Sequence, residues 1–191
     1  MKTFIIALKI FLFFTILTGI VYPLLVTGIA QITFPAKANG SIIFKDNKAI
    51  GSKLIGQQFD SVIYFSSRPS AIVYNPLPSG GSNYGLTNTK LKNQVADRKT
   101  QFWKFNHLDS LKTTIPSEML FASASGLDPH ISVEAAILQV DRIAKARNFS
   151  NIQKRKIIQC IQNHLEEPQF SCFGDQRINV LLLNIALDKI N

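Results

Sequence analysis

Residues 10–34 read IFLFFTILTGIVYPLLVTGIAQITF, and none of these 25 positions holds a charged side chain. At about 1.5 Å per residue a helix of that length spans roughly 37 Å, more than the ~30 Å hydrocarbon layer of a bilayer. The stretch predicts one transmembrane helix, with residues 1–34 as an anchor and residues 35–191 as a separate domain. A cleaved signal peptide is the rival reading, with Lys2 and Lys9 as its basic start and Gly28-Ile29-Ala30 as a small-x-small cleavage site. The apolar run is far longer than the roughly 7–15 residues of such a segment, which favours a retained span.

Charge orients the span. Lys2 and Lys9 precede it, and short basic tails stay cytoplasmic while long following domains translocate almost regardless of their own charge. The N-terminus is expected in the cytoplasm and residues 35–191 outside, in a bacterial inner (plasma) membrane. The whole chain carries 21 Lys+Arg against 12 Asp+Glu, a formal net charge of +9. That balance suggests an anionic neighbour such as a membrane surface or an acidic partner. Nucleic acid is disfavoured, because the basic run Lys154-Arg155-Lys156 has no aromatic side chains interleaved with it.

Within the span, Pro23 cannot bond the carbonyl of Gly19 and crowds it. Thr15 and Gly19 have the small-xxx-small spacing that lets helices approach closely in lipid. Thr15, Gly19 and Pro23 are therefore the candidate packing residues for a neighbouring membrane helix, although a lone anchor would need no such partner.

Beyond the span, SIIF (41–44), VIYF (62–65), AIVY (71–74) and EMLF (118–121) have the β-branched and aromatic content of short strands. Residues 90–103 suit a polar helix with Leu91, Val95 and Phe102 on one side. Ser132 opens a helix whose apolar face is Ala136, Ile137, Val140, Ile143 and Ala144. Ser150 and Gln153 have capping-box spacing ahead of a helix through Ile157, Ile158, Ile161 and Leu165. Residues 178–190 form a third, mostly apolar helix. The fold class is α+β: one transmembrane helix, then one extracytoplasmic domain with a small sheet and C-terminal helices.

Chemistry is sparse. ASASGLDPHIS (122–132) gathers three serines, an aspartate and a histidine, but Ser132 suits a helix N-cap. Gly126, Asp128 and Pro129 suit a turn, and the nucleophile elbow G-x-S-x-G is absent. Ser79, Gly80, Gly81, Ser82 and Asn83 make a glycine-rich loop without the lysine of a phosphate-binding loop. These five, with Ser123, Ser125, Gly126 and Asp128, are candidate partner-contact residues. Cys160, His164 and Cys172 lack a fourth ligand and the usual spacing for zinc. Cys160 and Cys172 are compatible with a disulfide or with two free thiols. No catalytic, cofactor or metal residue is nominated.

The segments TGIVYPLLVTGIAQITFP (18–35), GSKLIGQQF (51–59), YFSSRPSA (64–71), YNPLPSGGSN (74–83), SASGLDPHIS (123–132), QVDRIAKAR (139–147) and GDQRINVLLLNIALD (174–188) occur in this order behind one N-terminal span. In that arrangement the chain resembles the C subunit of the Kdp-type potassium-transporting P-type ATPases over about 19–188. The resemblance implies a non-catalytic subunit of a high-affinity potassium import pump. Its implied partners are a channel-like potassium-binding subunit, a P-type ATP-hydrolysing subunit, a small single-helix subunit and membrane lipid. It also implies a catalytic chaperone that assists assembly and raises ATP affinity of the catalytic subunit. ATP and potassium would be handled by the complex, since the D-K-T-G setting of a phosphorylated aspartate is absent here. A domain outside the membrane does not meet cytoplasmic ATP, so the nucleotide effect is expected to pass through the membrane helices. The alternative is a membrane-anchored module that binds anionic envelope polymers.

Overall fold

The structure is a computed structural model that describes residues 1–190. It divides into two compact units, Met1–Ile50 and Gly51–Asn191.

The first unit begins with α1 (Lys2–Ile16), a π turn (Leu17–Val21) and α2 (Tyr22–Thr33). Together they form one helical run, Lys2–Thr33, long and apolar enough to cross a membrane. No residue of α1, the π turn or α2 is buried, so their apolar side chains need a lipid or protein neighbour as solvent. The π turn lies where Pro23 crowds the preceding turn. The N–H of Tyr22 reaches the carbonyl of Leu17, five residues back, and such widened turns are how helices absorb a proline. The threonine hydroxyls bond within the helix: Thr15 donates to the carbonyl of Phe11 at 2.8 Å and Thr18 to that of Phe14 at 2.7 Å. Internal satisfaction of this kind is what an apolar solvent requires. A short α3 (Pro35–Ala38) and a two-stranded sheet of β1 (Ile42–Lys45) and β2 (Lys48–Ser52) follow.

The second unit holds α4 (Thr89–Asn106), β3 (His130–Ile131), α5 (Val133–Ile137), α6 (Val140–Ala146), α7 (Asn151–Asn163), β4 (Leu165–Glu166), β5 (Arg177–Asn179) and α8 (Val180–Leu187). The strands form an antiparallel sheet in the order β3-β5-β4, with His130 opposite Asn179 and Leu165 opposite Ile178. Its core joins Phe65, Ile131, Ile143, Ile157, Ile161 and Leu183, all at most 2% exposed. Ser132 caps α5 by accepting from the N–H of Ala135, and Ser150 and Gln153 complete a capping box on α7.

Several expected elements differ. The segment 62–65 is buried at Phe65 yet is not a strand. Its backbone is bonded by side chains from helices instead. Asn184 of α8 accepts from the N–H of Phe65 at 2.8 Å and donates to its carbonyl at 3.0 Å. Gln139 accepts from the N–H of Ser66 at 2.7 Å. Arg142 donates to the carbonyls of Val62 and Tyr64, and Arg147 to that of Ile63. Residues 71–74 form a turn, with Val73 and Tyr74 at φ of +53° and +57°, a region closed to a strand. EMLF begins inside a 3-10 turn at Ser117–Met119 instead of forming a strand. The helix after Ser132 is interrupted between α5 and α6, which leaves Ile137 47% exposed while Ala136, Val140, Ile143 and Ala144 are buried. Ile158 is likewise exposed, and Leu165 lies in β4. Ile178 lies in β5, because the Asn179 side chain accepts from the N–H of Leu182 and starts α8 there.

Arg142 is the centre of this arrangement. It is 2% exposed and appears in no salt bridge among the described residues. Its Nε donates to Asn106 at 2.9 Å, its Nη2 to Gln139 at 2.9 Å and to Tyr64 at 3.0 Å. The guanidinium also lies over the Phe105 ring, 4.4 Å from the centroid. Burial pulls its pKa down to about 10, so the group stays charged at neutral pH. Arg142→Met should destabilise the fold by roughly 3–5 kcal/mol, because it strands several buried acceptors at once. Arg142→Lys should recover little, since an ammonium lacks the planar fork that reaches them. Thermal unfolding of the full chain in an uncharged detergent measures both.

Candidate functional site

The loops singled out in the sequence meet around Asp128. Arg68 reaches Asp128 with Nη1 2.6 Å from Oδ2. On the other side Asp128 Oδ1 accepts from the N–H of His130 at 3.0 Å and lies 3.1 Å from His130 Nδ1. Burial alone would raise the Asp128 pKa. The hydrogen bonds to His130 and the charge and hydrogen bond of Arg68 outweigh it and hold the carboxyl at about 2. His130 also faces Glu166 at 3.7 Å from Nε2. The imidazole therefore lies between two carboxylates, and no hydrogen bond joins it to a serine hydroxyl among the described residues.

The remaining bonds close one loop on another. Gly56 donates to the carbonyl of Leu127 at 2.7 Å, and Ser70 Oγ to that of Gly126 at 2.7 Å. Ser70 Oγ also accepts from the N–H of Tyr74 at 2.9 Å, and the Tyr74 hydroxyl donates to the carbonyl of Arg68. Burial pushes the Tyr74 phenol up to about 12, so it remains a donor. Gly80 donates to the carbonyl of Ser125 at 3.0 Å, which brings the 79–83 loop against the 123–128 loop. Ser123 is buried at 7% exposure, and Ser125 Oγ accepts from the N–H of Leu127. Ser79 and Asn83 are exposed and Ser82 half-buried, so the outer edge of the pair is polar. Thr15, Gly19 and Pro23 belong to the other unit, on exposed helix.

Beside these loops a cavity of about 810 Å³ opens between residues 58–74 and α4, lined by Arg68, Tyr74, Arg98, Lys104 and Phe105 among others. Arg98 donates to the carbonyl of Leu120 at 2.9 Å, and burial lowers its pKa. The sequence reading nominated none of these five. Arg68 within YFSSRPSA and Tyr74 at the start of YNPLPSGGSN lie in the segments that carry the family resemblance. Cys160 is half-buried with a thiol pKa raised by burial, and Cys172 is exposed; both are free. Cys160 Sγ lies 3.7 Å from His164 Nδ1.

What this arrangement does is hold two loops in one shape. Gly126 is the tightest point: its φ is +70°, and a Cβ there would lie 2.5 Å from Ile72 Cγ1 and 2.8 Å from the carbonyl oxygen of Gly80. Gly80 itself has open space around its Cα. Gly126→Ala should therefore cost at least about 1–3 kcal/mol through backbone strain and displacement. Gly80→Ala should stay within about 0.5 kcal/mol. Chemical unfolding of the two variants separates them.

Comparison with known proteins supplies the relationship. Residues 4–189 match the family described as KdpC: K+-transporting ATPase, c chain. A protein of Photorhabdus laumondii named "Potassium-transporting ATPase KdpC subunit" is 44% identical over 182 residues, covering 94% of this chain and 92% of its own. Proteins of the same name from Dechloromonas aromatica and Mycobacterium bovis are 46% identical over 188 residues and 45% identical over 186. They cover 97% and 96% of this chain and 96% of their own length in each case. With one helix long and apolar enough to cross a membrane among the described residues and an α+β second unit, matched almost end to end, the chain belongs to the KdpC family of K+-transporting ATPase c chains.

Proposed function

We propose that the chain is the non-catalytic C subunit of an ATP-driven potassium import pump. The observation that carries this reading is the near full-length identity of 44–46% to proteins named as that subunit. The geometry is in keeping with it. The clustered serines bond within turns, and the imidazole beside them pairs with carboxylates. The chain would lie in the inner membrane as a single-pass protein, with Lys2 and Lys9 on the cytoplasmic side and residues 35–191 outside. Its partners would be a channel-like potassium-binding subunit, the P-type ATP-hydrolysing subunit and a small single-helix subunit. As a catalytic chaperone it would raise the ATP affinity of the hydrolysing subunit without touching the nucleotide. It would do so by favouring one conformational state of the pump, which is coupling in the thermodynamic sense.

Two elements would make the contacts. The first is the helix face at Thr15, Gly19 and Pro23. The Thr15 hydroxyl is already spent on Phe11, and a Cβ at Gly19 would meet nothing within 4 Å in this chain. A bulky side chain at Gly19 therefore strains nothing internal, and any harm it does reports on a neighbour. The second is the joined pair of loops, Ser79–Asn83 and Ser123–Asp128.

Affinity purification in mild detergent tests the proposal. The chain should co-purify in stoichiometric amount with a P-type ATPase, and recovery of the chain alone would refute it. Gly19→Leu should abolish that co-purification while the second unit keeps its thermal unfolding transition. Topology is tested separately by placing a cysteine at the exposed Ser110 with Cys160 and Cys172 changed to Ser. A membrane-impermeant thiol reagent should label it in intact cells, and labelling only after lysis would reverse the orientation.

A further inference from the structure

The hairpin between β4 and β5 presents two phenylalanines that nothing in the second unit covers. Phe170 is 88% exposed and Phe173 67% exposed. Their rings meet edge to face with centroids 6.4 Å apart. The tip is closed by two backbone bonds between Gln169 and Phe173, at 3.0 and 2.9 Å. Below it, the pairing of Glu166 with Arg177 and of Leu165 with Ile178 ties the hairpin into the three-stranded sheet. The other strongly exposed apolar side chains of this unit include Leu77, Leu86 and Leu111. Scattered aliphatic residues of that kind are ordinary on a protein surface. A paired aromatic tip is not, since it exposes large apolar area in the one chemical form that most often anchors interfaces.

Charge identifies what covers it. A shallow depression at the base of the hairpin is lined by Glu134, Glu167 and Asp175, together with Pro168 and Ser171. Glu167 accepts from the side chain of Gln176, and neither Glu134 nor Asp175 is in an ion pair among the described residues. The chain as a whole is basic, at +9, so this acidic patch is local. Elements that insert into lipid set cations beside their apolar residues; here the hairpin that carries the rings also carries the carboxylates of Glu167 and Asp175. We propose that the hairpin 165–178 is a docking peg that seats Phe170 and Phe173 in an apolar cleft of another subunit of the pump, a cleft edged by Lys or Arg. The peg rests on the subunit reading above, and it names the surface through which that subunit engages a protein neighbour. Its paired strands hold the rings in place before contact, which reduces the ordering cost of binding. The carboxylates set register against the cationic edge and steer the approach.

The test uses the assembled pump. Phe170 is replaced by p-benzoylphenylalanine, a photoreactive ring of similar shape, and the complex is isolated through a tag on the ATP-hydrolysing subunit. If the wild-type chain fails to co-purify, the subunit reading fails, and the peg falls with it. If it co-purifies, illumination should crosslink position 170 to another pump subunit. A crosslink to lipid, to a second copy of this chain, or to nothing overturns the peg while leaving the subunit reading intact. The double variant Phe170→Ala, Phe173→Ala should keep the thermal unfolding of the isolated chain, because both rings are largely exposed and neither belongs to the core. It should leave the purified complex at least about tenfold faster than wild type, as expected for a lost aromatic anchor. Glu167→Lys with Asp175→Lys should act in the same direction. Wild-type dissociation rates in both variants would overturn the proposal.

Discussion

The second unit depends on a buried guanidinium that forms no salt bridge among the described residues. Arg142 gathers carbonyl and amide oxygens from the 61–64 segment, from Gln139 and from Asn106 of α4. A charge taken out of water is costly unless every donor is used. Here the donors reach backbone that runs through the core without strand partners. Gln139 and Asn184 do the same for Ser66 and Phe65. Three polar side chains, two on helices and Gln139 at the N-cap of α6, thus stand where a neighbouring β-strand would otherwise be. That exchange lets a small three-stranded sheet suffice for a unit of this size.

The same exchange explains which parts of the fold were legible in the sequence. The N-terminal helix was readable because a run of 25 uncharged positions is longer than the apolar stretch of a signal segment and matches the length of a membrane span. The caps at Ser132 and Ser150 were readable because a hydroxyl before an amphipathic run leaves few alternatives. VIYF was misjudged as a strand because its composition reports burial and extension, which it has, and not the identity of its hydrogen-bond partners. AIVY failed for a different reason. Two consecutive left-handed residues, one of them β-branched, are imposed by the closure of Ser70 on Gly126, and no local preference announces that. Ile178 was assigned to a helix since its apolar neighbours run on without interruption; only the capping role of Asn179 marks the change from strand to helix.

The candidate contact loops were partly legible. Glycine and serine at 79–83 and 123–126 announced turns. That the two turns bond each other through Gly80 and Ser125 was not visible, because the pairing is set by Gly126, Ile72 and Ala124 across some forty residues. Arg68 was present in a quoted motif, yet its partner Asp128 lies 60 positions away. The aromatic tip at 170–173 passed unnoticed for a simpler reason. In sequence, two phenylalanines near a cysteine look like core, and only the hairpin geometry turns them outward.

The carboxylate-free bonding of Arg142 has one more result. An ion pair loosens when its acid is protonated, and exposed pairs fade as electrolyte accumulates. Amide and carbonyl oxygens do not titrate, the guanidinium keeps its proton up to about 10, and a side chain 2% exposed is beyond the reach of mobile ions. The bonds that Arg142 makes therefore do not wait on the protonation state of a carboxylate, unlike the neighbouring pair of Arg147 with Asp188.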